Sequence, residues 1–245
     1  MVGDAASFAA LSWRVHGEDD GADARASELE RALGTRDEDG RTAFHAACGA
    51  GATGRDVVRL AVERCSRARM RALARGVDEG GWTPLHTAAA LGEAETCGTL
   101  LAAGADASAR TPGGQTPAHY AASKGHVEVL AKIASAGDEG WWAASDETGA
   151  TPLHRAAASG KLRAIDYLVD ALSNGRAEVP KGALEARDKR GQTPLLTACE
   201  SGQEEAAIRL ARHGADVNAR NAEKQGIEEL APKLVSALRQ IAEER

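Results

Sequence analysis

Residues 81–92 read Gly-Trp-Thr-Pro-Leu-His-Thr-Ala-Ala-Ala-Leu-Gly, and this stretch decides the fold because nearly the same phrase occurs five times. GWTPLHTAAALG is preceded by GRTAFHAACGAG at 40–51 and followed by GQTPAHYAASKG at 114–125, GATPLHRAAASG at 149–160 and GQTPLLTACESG at 191–202. The anchoring threonines are Thr42, Thr83, Thr116, Thr151 and Thr193, so successive anchors lie 41, 33, 35 and 42 residues apart. A unit of 33 residues, lengthened by insertions, is the signature of stacked repeats.

Each residue of the phrase meets a local need. Thr83 is placed to cap exposed amides, and Pro84 takes the first helical position, where its missing N–H costs nothing. Ala88, Ala89 and Ala90, like Ala156, Ala157 and Ala158, keep the helix thin enough for close neighbours. Glycines at 92, 125, 160 and 202 supply the left-handed residue that ends a helix. A second helix then shows its apolar face at helical spacing, as in Val127, Leu130, Ile133 and in Leu162, Ile165, Leu168. The Gly-Ala-Asp triplets at 104–106 and 214–216 open a projecting turn.

The expected fold class is all-α: a solenoid of about seven helix-turn-helix repeats with projecting β-turn fingers. The T-P-L-H-x-A core and its period resemble the ankyrin repeat. The whole of 1–245 reads as one domain. Residues 1–38 form a degenerate first repeat, with helices expected over Ala5–Val15 and Ala24–Leu33. Five clear repeats fill 39–220, with insertions near 64–78 and 173–187, and 221–245 form a capping repeat in which Ala231 falls 33 residues after Ala198. The arginine-rich insertion, RCSRARMRALARG, reads as a solvated helix extension, and of the adjacent Trp141 and Trp142 one is expected to be exposed.

Composition narrows the function. The 53 alanines against 3% aromatic residues suit closely packed helices. A net charge of −6, from 30 basic and 36 acidic side chains, argues against nucleic acid as a partner. No run approaches the roughly 18 apolar residues of a membrane span, and the opening MVGDAASFAALSW lacks the form of a secretory signal. Cytosol and nucleus are therefore the expected locations, with Cys48, Cys65, Cys97 and Cys199 as reduced thiols. His45, His86, His119 and His154 share one slot, three residues after the threonine, which reads as structural bonding rather than catalysis. Adjacent slots lie at helix-packing distance, roughly 8–10 Å, too far to share a metal. No enzyme activity, cofactor or metal is expected.

Function is left to the unlike residues on the concave side. Turn positions give Asp39, Arg41, Glu79, Trp82, Gln115 and Gln192, and positions four and eight after the threonine give Thr87, Leu91, Tyr120, Lys124 and Arg155, with acidic Glu200 ending the row. Such a row suits a folded, helical protein surface bearing charges in a matching order.

The phrases TRDEDGRTAFHAACGAG, EGGWTPLHTAAALG, GGQTPAHYAASKGH, GATPLHRAAASGKL and GQTPLLTACESGQEEA, in that order, resemble the gankyrin family of proteasome assembly chaperones over nearly the whole chain. The resemblance implies a monomer when free that binds the C-terminal helical domain of one proteasomal AAA ATPase and hinders premature docking on the core particle. It also implies that Asp39 and Glu79 meet partner arginines and that Arg41 and Lys124 meet partner glutamates, with Trp82, Tyr120 and Arg155 matching the family's motif. Glu79 is longer than the aspartate expected there. The Leu-x-Cys-x-Glu sequence that engages the retinoblastoma protein is not carried over, since 197–201 read Thr-Ala-Cys-Glu-Ser. The alternative reading is an ankyrin-repeat adaptor for another protein.

Overall fold

The computed structural model describes residues 22–136, 140–173 and 181–244. Its secondary structure is helical, and among the described residues the β-structure is a single bridge, Arg36 with Thr42. Helix α1 spans Ala22–Gly34, and Leu29 and Leu33 are buried on it. Five helix pairs follow the five threonine phrases: α2 (Ala43–Cys48) with α3 (Gly51–Arg64), α5 (Pro84–Leu91) with α6 (Ala94–Ala102), α7 (Pro117–Lys124) with α8 (Val127–Ser135), α9 (Pro152–Ala158) with α10 (Leu162–Ser173), and α12 (Pro194–Glu200) with α13 (Glu204–Arg212). Helix α4 (Arg67–Arg75) and the short α11 (Lys181–Leu184) lie in the insertions, and α14 (Ile227–Leu230) with α15 (Val235–Glu243) closes the C-terminal end. The expected helix at Ala5–Val15 falls outside the described residues.

The first helices form one rank, each packed on the next, and the second helices form a rank behind them. Both are built by short-range chemistry. In α5, Thr83 is extended at φ −92° and its hydroxyl accepts the His86 N–H, Pro84 follows, and Gly92 closes the helix at φ +81°. Gly92 is demanded twice, because a Cβ there would also lie 2.8 Å from the His126 ring. The core is a continuous row of small and branched residues, Phe44, Leu85, Leu130, Ile165, Leu195 and Ile227 among them, with alanines where ranks approach most closely.

Among the described glycines the one with least room for a Cβ lies inside the first clear pair. A Cβ at Gly54 would come within 1.9 Å of the Ala47 carbonyl oxygen, a backbone atom that cannot swing aside. Gly54→Ala should therefore push α3 off α2 and lower stability in urea unfolding by about 3 kcal/mol, against a few tenths for an exposed alanine substitution. An unchanged urea midpoint would show that this contact relaxes freely.

The arginine-rich insertion departs from the expectation of a solvated extension. Helix α4 carries a buried face of Met70, Leu73 and Ala74, at helical spacing between the arginines. Arg69 donates to the Glu30 carbonyl at 2.8 Å, and Arg75 to the Gly104 carbonyl at 2.9 Å, so the helix braces the units on either side of its own. Trp141 and Trp142 start a one-turn 3-10 helix, Trp141–Ala143. Trp141 is buried at 6% exposure and Trp142 packs partly buried against the same core, so neither indole is freely displayed.

Candidate protein-docking face

The histidine slot is occupied as the repeat phrase requires. The four rings are 0–1% exposed. The Thr83 N–H donates to His86 Nδ1 at 3.2 Å, which leaves the ring proton on Nε2 to be donated to the Gln115 carbonyl at 3.2 Å. His45, His119 and His154 do the same to the carbonyls of Trp82, Ala150 and Gln192, at 3.0–3.1 Å. Each ring thus ties its own helix start to the next repeat. Burial drives His86 and His119 down to about 4 and lowers His45 and His154 as well, so all four are neutral at ordinary pH.

Among the described residues no group of three or more His, Cys, Asp or Glu is placed to hold a metal. The four cysteines are free and buried, and burial pushes Cys97 up to about 12 and Cys199 to about 11, far from a reactive thiolate.

The turns are built around a carboxylate that the sequence reading did not single out. Asp37 Oδ1 accepts the N–H groups of Asp39 and Arg41 at 3.1 and 2.8 Å, which fixes both residues at the finger tip. Asp78 accepts the Trp82 N–H at 2.7 Å, and Asp188 and Asn221 repeat the pattern. The signal was present in the sequence as an aspartate five residues before four of the five anchoring threonines, Asp37, Asp78, Asp146 and Asp188, with Thr111 in that place before Thr116.

Asp39 and Glu79 are exposed on neighbouring fingers, joined by the Glu79 N–H donating to the Asp39 carbonyl at 3.1 Å. Arg41 stands partly buried beside them. The Trp82 and Tyr120 rings are stacked at 4.5 Å between centroids, tilted by 50°, and both remain partly exposed. Lys124 lies one helical turn beyond Tyr120 on α7 and is exposed, and Leu91 adds an apolar side chain 57% exposed.

Four residues of the expected row behave differently. Arg155 Nε donates to Asp146 Oδ2 at 2.9 Å, and its Nη2 reaches the same oxygen. Asp146 has a wholly buried side chain and needs that countercharge, so Arg155 serves its own turn. Glu200 is held by Arg190 through two hydrogen bonds, 2.9 and 2.6 Å, although it stays exposed. Thr87 and Gln192 are buried, at 5% and 1% exposure, and so are closed to a partner.

Paired helices in two ranks, with projecting turns and an uneven charged and aromatic surface, define a repeat scaffold for protein–protein interaction. A model of the family "Ankyrin repeats (3 copies)" matches residues 21–111, 95–179 and 144–221, and the chain belongs to the ankyrin-repeat family. It is an all-helical ankyrin-repeat solenoid. No curated protein sequence matches it. Among the described residues no helix is long and apolar enough to cross a membrane.

Proposed function

We propose that the chain is a stoichiometric protein-binding factor that grips a folded helical partner between its finger tips and the α5–α7 face. The observation that supports this best is the order of side chains there: exposed acids at Asp39 and Glu79, then the Trp82–Tyr120 stack, then the exposed cation of Lys124. A stacked aromatic pair offers rigid contact area at small entropic cost, and separated opposite charges fix the direction of the partner. The finer reading is that of the gankyrin resemblance: the partner is the C-terminal helical domain of one proteasomal AAA ATPase, held during assembly so that the base does not dock early on the core particle. Cytosol and nucleus are the places where such a partner occurs.

Asp39, Arg41, Glu79, Trp82, Tyr120 and Lys124 are proposed as direct contacts. Arg155 and Glu200 contribute their Asp146 and Arg190 pairs to the same surface, and a partner would meet those pairs as units.

The test is co-expression with the isolated C-terminal domain of each base ATPase, followed by affinity measurement on whichever co-purifies. An interface of standard size would bury roughly 800 Å² per partner. Reversing both cations, Arg41→Glu with Lys124→Glu, is expected to weaken the complex at least about 10-fold, with association slowing as salt rises. Full affinity in that double variant refutes the contact assignment. Capture of none of the ATPase domains, with capture of another purified helical protein in a way that depends on Trp82, favours the adaptor reading.

A further inference from the structure

The projecting turns are stitched to one another by a regular rung. The second residue of a turn donates its N–H to the third residue's carbonyl in the preceding turn: Glu79 to Asp39 at 3.1 Å, Glu147 to Gly113 at 3.0 Å, Lys189 to Thr148 at 2.9 Å and Ala222 to Arg190 at 2.9 Å. An arginine just before the turn adds a strap to the next one, from Arg36 to the Val77 carbonyl at 2.9 Å, from Arg110 to Ser145 at 2.6 Å and from Arg187 to Arg220 at 2.6 Å.

One junction, between turns 78–82 and 111–115, lacks both devices. The residue that should donate the rung is Pro112, which has no N–H. The residue that should carry the strap is Val77, 49% exposed. Thr111 also replaces the turn-forming acid or amide, and its hydroxyl makes only a long 3.4 Å bond to the Gln115 carbonyl. Among the described residues no backbone hydrogen bond crosses between these two turns. The junction from Asp146 to Asp188 also lacks an arginine strap, with Ser145 in that position, yet it keeps its rung.

The Trp82–Tyr120 stack, 4.5 Å between centroids, crosses this same junction, and Pro112 packs its ring against Gly81. We infer that the solenoid flexes between the turns at 78–82 and 111–115, and that the Trp82–Tyr120 stack is the clasp that sets its closed state. In a linear array each unit touches only its neighbours, so one turn rotates most freely against the next where neither rung nor strap joins them, even though the His86–Gln115 and His126–Ala90 hydrogen bonds still tie the helices behind. Polar links and straps resist rotation because they have narrow geometry, whereas an aromatic stack slides and reforms. Glu79 and Trp82 stand on one side of the junction, and Tyr120 and Lys124 on the other. A partner spanning both would hold the angle closed, a consequence that rests on the docking reading. The flex itself is a property of the free chain.

It is tested in the free full-length chain by spin labels at three equivalent exposed positions, the second residues of α6, α8 and α10: Glu95→Cys, Glu128→Cys and Arg163→Cys. The 95/128 pair reads the unstrapped junction, and the 128/163 pair reads the next one. The 95/128 distance distribution is expected to be broader. Val77→Arg, which supplies the missing strap, should narrow it toward the width of the 128/163 pair, and Trp82→Ala should shift it to longer distances while leaving 128/163 unmoved. Equal widths in the unmodified background overturn the inference. So does a broad 95/128 distribution that ignores Val77→Arg, and this arm stands even if Trp82→Ala fails to fold.

Discussion

His86→Leu should lower stability near neutral pH by about 2–3 kcal/mol and flatten the acid side of the stability curve. The substitution is volume-compatible with the slot, since Leu196 occupies it in the fifth phrase and is fully buried. What is lost is the hydrogen-bond pair, leaving the Thr83 N–H and the Gln115 carbonyl without the ring that joins them at 3.2 Å. The pH dependence follows from the depressed pKa. His86 and His119 titrate at about 4 in the folded chain, against about 6.5 when unfolded. Between those values the unfolded state binds protons that the native state refuses. Their stabilisation is complete above about pH 6.5 and is lost as pH falls toward about 4. At pH 5 each ring has cost the native state about 2 kcal/mol relative to neutral pH. Urea unfolding at both pH values should give a drop about 2 kcal/mol smaller in His86→Leu than in the parent. Identical drops would mean that His86 does not titrate differently on folding.

Asp146→Ala should cost about 3–4 kcal/mol, and Asp146→Asn only about 1–2. One Asp146 oxygen accepts the N–H of Thr148 at 2.8 Å, the N–H of Ala150 at 3.1 Å and the Thr148 hydroxyl at 2.6 Å, while the other takes Arg155. Burial alone would raise the carboxyl's pKa, but the Thr148 hydroxyl and Arg155 outweigh it and carry it below the ordinary carboxylate value. Asparagine keeps an oxygen for the turn, as Asn221 does in the last finger, where it accepts from Glu223 and Gln225 at 3.0 and 2.9 Å. It forfeits the charge pair. Alanine forfeits both and leaves turn amides without acceptors. Calorimetry or urea unfolding of the two variants separates these contributions, and equal losses would show that the charge pair alone matters.

The helix starts, their caps and their register were legible because they depend on neighbours within a few residues. Thr83 followed by proline and by histidine three places on is a local instruction, and it recurs too regularly to be misread. The arginine-rich insertion was not legible as a packed brace. Its charges outnumber Met70 and Leu73, and the apolar pattern is too short to prevail without knowing that α1 and Gly104 stand close by. The role of Arg155 was hidden for a similar reason. Nothing nine residues away in sequence announces that Asp146 will be buried and reach for that guanidinium.

Sequence alone determined the repeat, its helical class and the identity of the variable positions, since each follows from hydrogen bonding and packing within one turn of chain. Only the tertiary structure decided which variable positions stay free for a partner. Exposure at Asp39, Glu79 and Lys124 and burial at Thr87 and Gln192 depend on how neighbouring repeats pack, and self-pairing at Arg155 and Glu200 on how each turn folds back over the helix that follows it. A charge is available for binding only when its own fold has not already neutralised it, and that is a property of three-dimensional neighbours.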